Sequence, residues 1–122
     1  MSLTSARQDL MAHFENLGFV VYDYAPETVI PPAVLCYPAD PWWRPIVIGT
    51  NDRCMVALNV VVCVAMNNNQ AALLNLEDGV SDIAKALPSG YIVTEGGPVT
   101  KTQVGPSDLL TATFVVEVAT TL

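Results

Sequence analysis

The chain has 122 residues, 52% hydrophobic and only 14% charged, with a formal net charge of −7. That length bounds a single domain able to bury a core without disulfide or metal staples, and so few charges imply apolar surface that other subunits bury. The basic residues Arg7, Arg44, Arg53, Lys85 and Lys101 are scattered, which excludes the basic stripe that phosphate backbones and anionic membranes demand.

Leu3, Ala6, Leu10, Phe14 and Leu17 recur at helical spacing, with Gln8, Asp9, Glu15 and Asn16 opposite, predicting a helix over about 4–17. Ser5 with Gln8 fits a capping box and Gly18 a helix stop. Phe19 to Tyr24 reads as a strand, with Phe19, Val21 and Asp23 on one side and Val20, Tyr22 and Tyr24 on the other. Pro26, Pro31 and Pro32 predict a loop, and Ala33 to Tyr37 a short strand. Pro38, Pro41 and Pro45 then predict an irregular loop carrying Trp42, Trp43 and Arg44.

Arg53 to Met66 predicts a long central strand. Its even positions, from Cys54 to Met66, are uniformly apolar and belong to the core. Its odd positions place Arg53 and Asn59 among Met55, Ala57 and Val61, a half-dry face that needs a cover such as another copy of the protein. Asn67 to Asn69 read as turn and N-cap of a second helix over about 70–87. Leu73, Leu76, Val80, Ile83, Ala84 and Leu87 form its apolar stripe, and Asp78, Ser81, Asp82 and Lys85 face solvent. Leu74 falls on the polar side as a contact point. Gly79 costs this helix about 1 kcal/mol relative to alanine, so packing must hold it. Tyr91 to Glu95 predicts a strand, Gly96-Gly97-Pro98 a turn, Val99 to Val104 a strand or extended loop, and Gly105-Pro106 another turn. Leu109 to Thr121 is the last strand, with Leu110, Ala112, Phe114, Val116 and Val118 inward and Thr111, Thr113, Glu117 and Thr121 outward. This order implies one α+β domain over 1–122, a mostly antiparallel sheet with an N-terminal helix and a second helix packed on it.

Chemistry-bearing clusters are scarce. Cys36, Cys54 and Cys63 form no C-x-x-C pair, and Cys54 and Cys63 have opposite strand parity, so buried thiols in a reducing compartment are expected. The N-terminus lacks a signal-peptide pattern, which points to synthesis and retention in the cytosol until assembly. His13 has no second imidazole with which to build a metal site. Asp78 and Asp82 read as a solubilising pair, and Gly96-Gly97-Pro98 is followed by neither the lysine nor the helix of a phosphate loop. Lys101, between Thr100 and Thr102, could reach a partner. Three readings stay open for Trp42 and Trp43: a subunit interface, a lid on the core, or a ligand platform with Asp40 and Arg44. No catalytic residue, cofactor or metal is expected.

Several phrases together resemble the small tail-terminator proteins of long-tailed bacteriophages, especially those of actinobacteria. They are the helix ending in Leu17-Gly18, the run Val21-Tyr22-Asp23-Tyr24-Ala25-Pro26, then Pro31-Pro32-Ala33-Val34 and the aromatic loop Pro38 to Trp43. The valine-rich strand, the Ala71-Ala72-Leu73 to Leu87-Pro88 helix and a terminal strand complete a resemblance that spans the chain. It implies a non-enzymatic virion subunit, assembled in the host cytoplasm, that forms a ring, generally a hexamer, on the growing tail tube. Such a ring halts tube polymerisation and presents a surface to the head's connector, with genome DNA passing through its lumen and no membrane involved. A ring needs two different patches that meet heterologously. The contact residues expected on this reading are Trp42, Trp43, Arg44, Arg53, Met55, Asn59, Leu74 and Lys101. Head–tail connector and tail-completion (neck) proteins share the size and element order and are the alternative; a small binding module is a third.

Overall fold

The computed structural model describes residues 3–23, 29, 31–46, 53–66, 69–104 and 107–121. The elements are α1 (Leu3–Asn16), β1 (Val20–Tyr22), β2 (Ala33–Pro45), β3 (Arg53–Ala65), α2 (Asn69–Lys85), β4 (Tyr91–Val104) and β5 (Ser107–Thr121). The five strands form one sheet in the order β1-β2-β3-β5-β4. Only β1 and β2 run parallel; the other neighbours are antiparallel. The chain has an α+β fold, as the element order predicts.

The spine is the β3–β5 pair, in unbroken register from Arg53 opposite Thr121 to Ala65 opposite Leu109. Strict alternation sends one set of side chains to each face. Val56, Leu58, Val60 and Val62 of β3 join Phe114, Val116 and Val118 of β5 in the main core. The helices contribute Ala6, Leu10 and Phe14 from α1 and Ala72, Leu76 and Ile83 from α2 to that same cluster, so both cover one face of the sheet. Each fully buried leucine or valine contributes roughly 1.5–3 kcal/mol by leaving water. Among the described residues, the opposite face has only a small core at one end, where Val29 meets Ala33, Cys63 and Leu109.

Two polar contacts hold the helices in place. The Tyr91 hydroxyl donates to the Ala6 carbonyl of α1 at 2.7 Å. His13 of α1 donates its Nε2–H to the carbonyl of Ala86, just past the end of α2. That carbonyl is among those a helix end leaves without an internal partner. Gly18 (φ +98°) ends α1 in the left-handed region, where a side chain would be strained.

Several elements differ from expectation. α1 begins at Leu3, so Ser5 lies within its first turn rather than at its cap. β2 does not stop at Tyr37 but runs through Pro38, Pro41 and Pro45. β1 ends at Tyr22, opposite Leu35, so among the described residues the outer side of β2 beyond that point is a sheet edge where a missing N–H leaves no ladder bond unmade. The prolines instead mark a large bulge: from Pro38 to Trp43 β2 advances five residues while β3 goes from Leu58 to Val56, two. Likewise Gly96-Gly97-Pro98 is not a turn. β4 passes through it as one strand, with irregularities at Val93/Glu95 and at Gly96/Val99. A Cβ at Gly97 would sit 2.5 Å from the Thr113 carbonyl oxygen, so the bulge requires glycine there. Thr111 lies on the expected side of β5, yet it is buried, hydrogen-bonded to the Thr100 hydroxyl at 2.9 Å.

The buried stripe of α2 is also rotated. Leu73 and Ala84 are exposed, while Ala72, Leu76, Gly79 and Ile83 face the sheet. The small residues decide this, because a Cβ at Gly79 would lie 3.2 Å from Cγ1 of Val62 and the helix rests directly on the valine-rich strand there. Tyr24, Pro26, Asn67 and the Gly105-Pro106 turn lie outside the described residues.

Candidate functional site

The face of the sheet opposite the helices carries the main candidate site. Two bulged strands flank its centre, β2 between Pro38 and Trp43 and β4 between Val93 and Glu95. Between them lies a hollow of about 330 Å³. Its floor is Met55, Ala57 and Asn59 of β3 with Val115 and Glu117 of β5; Asp40, Trp43 and Arg44 wall one side, Thr94 and Glu95 the other. The register explains the gathering: Arg44 stands opposite Met55, and Asn59, Val115 and Glu95 share one cross-strand row. Arg44 reaches across the floor to Glu117, Nη2 to Oε1 at 3.6 Å, with the guanidinium 59% exposed. A pair that exposed contributes little to stability.

Of the predicted contact residues, Trp43, Arg44, Met55 and Asn59 come together in this hollow. Arg53 starts the same strand, exposed, opposite Thr121, and it is engaged in an interaction of its own. Trp42 is separated from Trp43: it borders a depression beside α1 with Leu3, Thr4, Arg7, Asp23 and Pro38. There Arg7 pairs with Asp23 at 3.2 Å. Both indoles are about two-fifths exposed (39% and 41%). Leu74 projects from α2 at 58% exposure, and Lys101 borders a depression near the C-terminal end of β4 with Met66 and Asp108. These eight residues therefore do not form one patch.

Sequence reasoning missed Glu95, Val115 and Glu117 as residues lining the hollow. Nothing local marks them; only the pairing of β3 with β5 and of β5 with β4 brings them to Met55 and Asn59. A larger depression of about 410 Å³ lies between α2 and the Pro31-Pro32 segment, rimmed by Asp78 and Asp82, and holds none of the predicted residues. β4 has no outer partner among the described residues, and Ile92, Val93 and Val99 along it are exposed. Pro98, Lys101 and the two bulges are the usual devices that keep such an edge from pairing indiscriminately.

The thiols are built as core groups. Burial pushes Cys36 up to about 12, with Arg7 lowering and Asp23 raising it, and burial pushes Cys63 up to about 11. At neutral pH both are thiols, not the thiolates that nucleophilic chemistry uses. Cys54 lies in the helix-side core and Cys63 in the small core of the other face. Among the described residues no three His, Cys, Asp or Glu side chains group closely enough to hold a metal ion, and no helix is long and apolar enough to cross a membrane. Comparison with models of known protein families gives no match, and comparison with curated proteins gives none.

Proposed function

We propose that this chain is a ring-forming tail terminator of a long-tailed bacteriophage, residing in the virion at the head-proximal end of the tail. The observation that supports it is the one-sided architecture: both helices cover one face of the sheet, and most of the other face carries no helix among the described residues. Exposed apolar residues at both flanks, Trp43 and Ile46 on β2 and its end and Ile92 and Val99 on β4, suit a subunit with two unlike neighbours. In this reading copies of the chain close into a ring, generally a hexamer, that caps the tail-tube protein and stops its polymerisation. The ring then receives the head's connector, and the genome passes through its lumen. The net charge of −7 discourages DNA from adhering on the way.

Electron microscopy of lysates from a phage lacking this gene tests the proposal. Abnormally long tails beside tailless heads are expected, because polymerisation has lost its stop. Tails of normal length beside unattached heads would overturn it in favour of a connector.

A further inference from the structure

We infer that copies of this chain join head to tail through the outer edges of β2 and β4, with Trp43 of one copy seated over Gly96 of the next. Nothing within its own chain requires glycine at position 96. Its φ lies outside the left-handed region, and a Cβ placed there meets no atom within 4 Å. Glycine inside a strand weakens it and marks places where another backbone or a ligand comes close. Gly96 also lines an apolar groove between α2 and β4, together with Leu76, Val80, Val99 and Phe114. An aromatic side chain laid across an edge glycine is a favoured cross-strand pairing. Trp43 is 41% exposed, and its register opposite Val56 puts it on the helix side of the sheet, the side of the groove. Glu77 and Ser81 on the groove wall offer acceptors for the indole N–H.

The occupant is a second copy because the two edges match in charge and shape at one offset. Pairing through β3 and β5 makes β2 antiparallel to β4. Trp43 shares the row of Val56, and Gly96, through Phe114, shares the row of Val60. An offset of four residues brings them together, and an even offset keeps every side chain on its own face. The same offset sets Arg44, in the row of Met55, beside Glu95, in the row of Asn59. These opposite charges are both exposed and both line the open face. At 3.6 Å and 59% exposure, the pair with Glu117 does not commit Arg44. Ile46, bonded to Arg53, falls beside Ile92, in the row of Ala57, and both isoleucines are exposed. The two edges are unlike and lie at opposite sides of one sheet, as a heterologous contact requires. The inference deepens the ring reading by naming the contact between copies.

Oxidation of the purified Arg44→Cys, Glu95→Cys double variant at about 1 mM, where a contact of even millimolar affinity is half made, tests it. Both positions are exposed, and Cys36, Cys54 and Cys63 are buried. Within one chain β3 and β5 separate the two positions by about 14 Å, too far for a disulfide, so a bond between them joins two copies. A ladder of covalent oligomers is expected, with positions 44 and 95 linked in the peptide map. Adding Trp43→Ala, or Gly96→Leu where the chain itself leaves open space, should slow that linkage roughly tenfold. A double variant that stays unlinked, or that links only like positions, would overturn the inference. Linkage at an unchanged rate with either added substitution would overturn the seating of Trp43 over Gly96. The tail reading fails separately: linked copies beside normal-length tails in the gene-deficient phage would remove the terminator and leave the contact.

Discussion

Neighbouring residues of β3 live in two different environments. Val56, Leu58 and Val60 are fully buried beneath the helices, whereas Met55, Ala57 and Asn59 are half-buried on a face that no helix covers among the described residues. The same backbone thus serves two purposes, with alternation as the only device separating them. Because stability resides on the helix side, the open side can carry Asn59, Glu117 and Arg44 at little cost to the fold. On the proposed function, that asymmetry leaves one face for partners.

The largest effect expected from this comparison is on core truncation. Leu58→Ala should lower the unfolding free energy by about 2–5 kcal/mol, while Met55→Ala, three residues earlier on the open face, should cost about 1 kcal/mol or less. Urea denaturation of both variants checks it, and equal losses would break the distinction between the faces. Within β4, Gly97→Ala should cost about 1–3 kcal/mol, because the new methyl meets backbone. Gly96→Ala, with open space around it, should stay within about 0.5 kcal/mol. Similar midpoints for the two would show that the bulge adapts freely.

Tyr91 offers a subtler probe of the helix side. Tyr91→Phe should cost about 1 kcal/mol by removing the donor to Ala6. The same residue gives a pH dependence. Burial, helped by nearby Asp9 and Cys36, raises the Tyr91 hydroxyl from 10.0 to about 12, and burial raises Cys36 from 9.0 to about 12. Each group holds its proton more tightly when folded, so its contribution is fully present below the unfolded value and lost as pH rises through the folded one. The urea midpoint should therefore be flat near neutrality and fall from about pH 9 towards pH 12. Tyr91→Phe should shallow that fall; an unchanged alkaline slope would remove Tyr91 from the account. The smallest effect is expected at Leu74→Ser, on the outer side of α2, within about 0.5 kcal/mol of wild type.

Strong periodicity made the core legible in the sequence. The run from Cys54 to Met66 announces a long strand, and Leu110 to Val118 announces its partner, because a face of alternating valines has few other solutions. Edges were harder to read. Pro38, Pro41 and Gly96-Gly97-Pro98 are breakers in most settings, yet at a sheet edge they become bulges, and edge position is a tertiary fact that local sequence does not carry. In α2, hydrophobicity favoured Leu73 as a buried residue, but the close approach of Gly79 to Val62 turned Ala72 inward instead. The hollow was legible only in part for the same reason. Met55 and Asn59 stand out as odd-parity residues on an apolar strand, whereas Glu95 and Glu117 look like ordinary surface acids until the register places them beside Arg44. Trp42 and Trp43 are adjacent in sequence but border different depressions, a separation that the bulge in β2 produces.

The central claim is that the open face is where this subunit meets its partners. The most direct measurement complements the gene-deficient phage with Ala57→Lys, whose side chain lies in the middle of that face, and records tail lengths by electron microscopy. Urea denaturation should first find the variant as stable as wild type to within about 1 kcal/mol. Overlong tails beside tailless heads, as in the deletion, are the predicted result. Tails of normal length joined to heads, from a variant carrying a cation at the centre of the face, would contradict the account.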